Sequence, residues 1–126
     1  MVAPSSSIDP YATGVYMAFP TTERLKPIYR SLKTQVNSSH TKVGITTDSF
    51  AVREREYKET FGGEVKFVRL VAIASSELAT FEALLLREMH ARYRNVGHAR
   101  EWFDTDAREE IAALVLQLAA AHQNGI

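Results

Sequence analysis

Four side chains, in three short stretches, carry the chemistry this sequence could perform. They are the phenol of Tyr16 in Gly14-Val15-Tyr16, the ammonium of Lys42 in Lys42-Val43-Gly44, and Arg53 with Tyr57 four positions on. A guanidinium and an ammonium neutralise and orient phosphate oxygens, and a phenol can take or give a proton beside them. The set suits phosphate chemistry, provided the fold brings it together.

The elements that would do so are legible in the patterning. Residues 14–19 and 42–46 are short apolar runs bounded by Gly, Pro or polar residues and predict strands. Residues 65–73 predict a third strand, apolar on both faces and therefore central, with Arg69 as its odd residue. Asp48 or Ser49 can cap a helix that Gly62-Gly63 stops, and Ser75 or Ser76 a longer one ending near Arg94. Asp106 with Glu109 has capping-box spacing and opens an Ile111, Leu114, Val115, Leu118 stripe. The expected fold is α+β, a single domain with a small, mainly antiparallel three-stranded sheet flanked by helices. Residues 1–12 read as a disordered arm, 13–104 as the domain with an insertion at about 20–40, and 105–126 as a helix packed on it.

At ~100° per residue, Phe50, Arg53, Tyr57 and Phe61 share one side of the first helix. Leu78, Glu82, Leu85, Leu86, Met89 and Tyr93 share a stripe of the next, with Glu82 near its centre and Glu88 well off it. An ionised group directed at a core costs several kcal/mol unless paired, hydrogen-bonded or metal-bound. Arg53 and Glu82 either form a buried ion pair, with snorkelling by Arg53 as a variant, or line a cleft for a metal and a phosphate.

Composition narrows the classes. Fifteen Lys+Arg balance fifteen Asp+Glu in 126 residues, so contact with a polyanion must rest on local patches. Two such patches exist. One is segment 20–42, with Arg24, Lys26, Arg30, Lys33 and Lys42; the other is segment 87–100, with Arg87, Arg92, Arg94 and Arg100 beside His90 and His98. There is no cysteine, which excludes disulfides, thiolate catalysis and Cys-based zinc sites, and His40, His90, His98 and His122 show no zinc spacing. The first ten residues lack the basic and apolar regions of a secretory signal, and no apolar run nears the ~20 residues of a membrane span. A soluble, cytoplasmic protein is expected.

Read in order, these motifs resemble the GIY-YIG nuclease superfamily, in which a G-[IV]-Y strand pairs with a [YK]-[IV]-G strand, a helix supplies an arginine and a later helix a metal-binding glutamate. Gly14-Val15-Tyr16 and Lys42-Val43-Gly44 fit the two strands. Lys in place of the second Tyr, Arg53 followed by Tyr57, and His90 followed by Glu101-Trp102-Phe103 are similar to a phage-type branch. One departure stands out. That branch places its glutamate four residues before the His, where this chain has Leu86; Glu82, one turn earlier, takes the metal role here, with Glu88 as fallback.

The resemblance implies phosphodiester hydrolysis, in DNA by preference, with one divalent cation, Mg²⁺ or Mn²⁺, held by Glu82. It implies Tyr16 as general base, Lys42 favouring its ionised form, Arg53 on the phosphate, Tyr57 positioning phosphate or water, and His90 lining the site. A phenol titrates near ~10, so serving as base at neutrality takes roughly 4 kcal/mol of preferential stabilisation of the phenolate. Arg24, Lys26, Arg30, Lys33, Arg92 and Arg94 would contact the nucleic acid, and Glu101-Trp102-Phe103 would plug the sheet end. Two alternatives remain: an inactive nucleic-acid-binding domain, which Leu86 favours, and a small interaction domain forming a homodimer through an exposed last helix with Ala119, Ala120 and Ala121.

Overall fold

Alternate residues of the first strand divide the interior in two. The computed structural model describes residues 8–28 and 31–124. In β1 (Gly14–Pro20), Val15 and Met17 enter one core and Tyr16 and Ala18 another, because successive side chains of a strand point to opposite faces. Around β1 lie β4 (Thr41–Thr46), β5 (Val65–Ala72), β6 (Asn95–Val96) and β7 (Ala99–Phe103), in the antiparallel order β5-β1-β4-β7-β6. A separate two-stranded ribbon, β2 (Lys26–Ile28) with β3 (Ser31–Val36), forms between β1 and β4.

The helices cover both faces. α1 (Phe50–Phe61) begins where the Ser49 hydroxyl accepts the Val52 N–H at 3.2 Å, and it ends at Gly62, whose φ of +68° a side chain would resist. It buries Phe50, Tyr57 and Phe61 with Tyr16, Ala18, Val36 and Trp102. α2 (Leu78–Arg92) and α3 (Arg108–Asn124) cover the opposite face, where Phe81, Leu85, Met89, Ile111 and Val115 meet Val15, Met17, Val43 and Phe103.

The α+β class and the single domain hold, while the sheet is larger than three strands. Residues 65–73 were expected at its centre, yet β5 is an edge strand. Its apolar character on both faces comes from α1 and α3 packing on opposite sides of it, so burial there is by helices and not by neighbouring strands. Arg69, its side chain largely buried, bonds to the 8–12 segment and α1, its Nη1 donating to the Ile8 carbonyl at 3.0 Å and its Nη2 to Glu54 Oε2 at 3.1 Å. Residues 8–12 also receive α1: the Ala51 and Phe50 N–H groups donate to the Pro10 and Ala12 carbonyls. Residues 1–7 of the expected arm lie outside the described residues.

Two further differences follow from packing. Glu101-Trp102-Phe103 is the end of strand β7, not a loop plugging the sheet. α3 uses its apolar stripe in the core, with Ile111, Val115 and Ala119 buried, so of the three alanines only Ala120 and Ala121 face solvent. No described helix is long and apolar enough to cross a membrane.

Candidate active site

Tyr16 and Gly44 face each other across β1 and β4, and their fit explains both motif residues. A Cβ added at Gly44 would lie 2.8 Å from the Tyr16 hydroxyl oxygen, 2.9 Å from its Cζ and 3.1 Å from Lys42 Cε. Glycine is required because the phenol lies over that backbone. Gly14 is needed for a similar reason, since a Cβ there would sit 2.1 Å from the Val71 carbonyl oxygen of β5.

Two aromatic neighbours lock Tyr16. Its hydroxyl lies 3.1 Å from that of Tyr57, its ring stacks on Phe67 at 4.6 Å, and Tyr57 meets it edge-on at 5.6 Å. Both phenols are buried. Lys42 Nζ stands 5.8 Å from the Tyr57 ring centroid and 3.5 Å from Glu101 Oε1. An ammonium on a side chain that is only 9% exposed demands such partners.

Glu82 reaches this group from the other face of the sheet. Pairing of β4 with β7 covers only Thr41↔Phe103 and Lys42↔Trp102, after which the strands part. On the α2 side of β7, where Glu101 leaves the paired stretch, an open cleft of about 290 Å³ is lined by Ala79, Glu82, Ala83, Leu86, Arg100 and Glu101. Loss of water around Glu82 raises its pKa above the ordinary carboxyl value; Glu101 adds to the rise, while Lys42 and Arg100 oppose it. Glu82 was expected near the middle of the apolar stripe. That stripe is Leu78, Phe81, Leu85 and Met89, and Glu82 and Leu86 lie at its margin, facing the cleft.

The remaining candidates are placed as follows. Arg53, one turn before Tyr57 and half-buried, donates through Nη1 to Glu56 Oε2 at 2.9 Å. The alternative of an Arg53–Glu82 ion pair is thereby corrected: α1 and α2 lie on opposite faces, and the charges acting on Glu82 are those of Glu101, Lys42 and Arg100. Glu88 forms a surface pair with Arg92 at 3.4 Å, away from the cleft-lining group. His90 Nε2–H donates to the Arg100 carbonyl at 3.0 Å and its ring packs near Phe103 at 5.5 Å, tying α2 to β7. Arg24 and Arg94 are exposed; Arg30 lies outside the described residues, and Lys26 and Lys33 are placed by backbone alone, in β2 and β3.

Two features escaped the sequence reading. Glu101 was given to the sheet end, yet it is the carboxylate that joins Lys42 to the cleft of Glu82. Trp102, taken as filler, carries a buried indole N–H with no acceptor among the described residues, on the residue that faces Lys42 across the strand pair. The signal available was the parity of β7, which sends Glu101 and Trp102 to different sides once the stretch is read as a strand. Among the described residues no three His, Asp or Glu side chains gather as a metal cage.

Searches of curated proteins and of solved structures return no match. The family model for the T5orf172 domain matches residues 26–118, which hold Lys42, Gly44, Arg53, Tyr57, Glu82, His90 and Glu101. With most of its length and nearly all of the fork covered by that match, the chain belongs to the T5orf172 domain family.

Proposed function

We propose that this protein is a metal-dependent nuclease of GIY-YIG type, hydrolysing phosphodiester bonds, with DNA as the favoured substrate. Membership of a family of nuclease-associated domains supports the class. The observation that carries the reading is the series of contacts from Tyr16 to Tyr57 to Lys42 to Glu101, whose carboxylate lines the cleft with Glu82; the two phenols and Arg53 stand outside the lining of that cleft. A fold that needed only packing there would gain more from apolar side chains.

The donor chemistry of the cleft fits a hard divalent cation. It offers carboxylate oxygens, open access, and a Glu82 whose raised pKa leaves its charged form in want of a counter-ion. Glu82 would hold Mg²⁺ or Mn²⁺. When bound, such a cation polarises a non-bridging phosphate oxygen and stabilises the leaving alkoxide. Tyr16, as the tyrosinate, would take the proton of the attacking water, its orientation held by Tyr57, Phe67 and Gly44; because the fold buries its hydroxyl against Tyr57, that pair must open for water to reach it. The Lys42 ammonium lowers the energy of the tyrosinate. Arg53 neutralises charge on the phosphate, and His90 fixes β7, and with it Glu101, against α2. Arg24, Lys26, Arg30 and Lys33 on the insertion, with Arg92 at the end of α2 and Arg94 just past it, hold the flanking phosphates.

Cleavage of labelled single- and double-stranded DNA and RNA, with Mg²⁺ or Mn²⁺ against EDTA, tests this. Tyr16→Phe, Arg53→Ala and Glu82→Ala are each expected to lower the rate about 10²- to 10³-fold. Rates that stay at the wild-type level overturn the site. Leu86, standing where the branch carries its glutamate and facing the same cleft, favours a second reading as a nucleic-acid-binding domain without catalysis. Salt-sensitive binding with no cutting under any cation is its signature.

A further inference from the structure

We propose that Glu101 is a positioning residue for this site, acting through Lys42: its carboxylate, carried to the fork by the last residues of β7, holds the buried ammonium against the Tyr57–Tyr16 pair. This deepens the nuclease reading and rests on it.

Four observations converge. Lys42 and Trp102 are Cα partners in the last pair before β4 and β7 separate, so Glu101 is the first β7 residue beyond the paired stretch. Its Oε1 lies 3.5 Å from Lys42 Nζ, whose side chain is 9% exposed while that of Glu101 is 36% exposed. The same Nζ is 5.8 Å from the ring of Tyr57, whose hydroxyl is 3.1 Å from that of Tyr16. Glu101 also lines the cleft with Glu82 and Leu86.

The bland role for Glu101 is to neutralise a lysine that happens to be buried. Geometry argues against it. A lysine has a four-carbon stem that can carry its head to water, and the Glu101 that this one meets lines an open cleft. Glu82 also acts on this ammonium, so removal of the Glu101 carboxylate is expected to shift Nζ toward Glu82 and away from the phenols. The Glu101 carboxylate at the mouth holds Nζ at 3.5 Å, and the His90 bond to the Arg100 carbonyl holds that strand end in place.

A double-mutant cycle over Lys42 and Glu101, read on the full chain with Mg²⁺ or Mn²⁺, separates the two roles. Glu101→Ala and Glu101→Gln are expected to lower kcat about 10- to 100-fold with KM within about 2-fold, as loss of orientation does. Glu101→Asp should restore most of that loss. In a Lys42→Ala background the Glu101 change should have no further effect. An additive loss in that background, or a wild-type kcat in Glu101→Ala with only a lower Tm, overturns the proposal. If the wild-type chain cuts no nucleic acid, the nuclease reading falls by itself; affinity of the same four proteins for a labelled duplex then decides Glu101. A non-additive loss of affinity supports its hold on Lys42, and an additive one overturns it.

Discussion

Gly44 shows most directly how a single residue sets this site. Gly44→Ala puts a methyl 2.8 Å from the Tyr16 hydroxyl oxygen and 3.1 Å from Lys42 Cε, so the phenol, the ammonium or the strand must yield. We expect cleavage to fall at least about 10-fold, since displacement of a catalytic group by about 1 Å can cost 10²-fold. Urea unfolding should show a loss of about 1–3 kcal/mol from overpacking. Glu82 gives the opposite balance of stability and function. Its folded pKa is raised, by desolvation first and by Glu101 next, so the folded state favours the proton more than the unfolded chain does. That contribution is fully present below the ordinary carboxyl range and is lost as pH rises through the raised value. Glu82→Gln should therefore melt higher than wild type at neutral pH, the difference vanishing in acid, while removing cleavage; a lower Tm at neutral pH would contradict it.

Among the elements, α3 closes the fold by one arginine. Arg108 Nη2 donates to the carbonyls of Ser38 at 2.5 Å and His40 at 3.1 Å, its Nε to Thr41 Oγ1 at 3.2 Å, and its guanidinium lies 3.9 Å from the Phe19 ring centroid. Burial lowers its pKa, with Asp106 opposing that shift, yet an arginine stays charged. It thereby pins the turn between β3 and β4 to the start of α3, and so the beginning of the strand that carries Lys42. Arg108→Ala should cost about 2–4 kcal/mol in chemical denaturation, because it leaves partly buried carbonyls without their donor. Element identity was readable where a period, a cap and a stop coincided, as in α1 from Ser49 to Gly62. It failed for β6 and β7, two and five residues long, whose partners lie far along the chain or across a turn.

At the scale of the molecule, the sheet order explains why the site was only half legible. β5-β1-β4-β7-β6 sets β1 beside β4, and the motif pair Gly14-Val15-Tyr16 and Lys42-Val43-Gly44 could be matched because strand parity follows from local sequence. Helical spacing likewise put Arg53 and Tyr57 one turn apart and Glu82 on a face with Leu86. What residue types and periods determined is therefore the α+β class, the Ser49-capped helix α1, and a set of groups suited to phosphate; the cap expected at Ser75 or Ser76 is absent, because residues 75–77 form a 3₁₀ turn and α2 starts after Glu77 with no side-chain cap bond. Which face each helix covers, that β5 lies at an edge, and that Lys42 meets Glu101 at the parting of β4 and β7 were decided by the tertiary structure alone. These relations depend on contacts between residues distant in sequence, where the energy of packing and desolvation acts across strands and no local spacing records it.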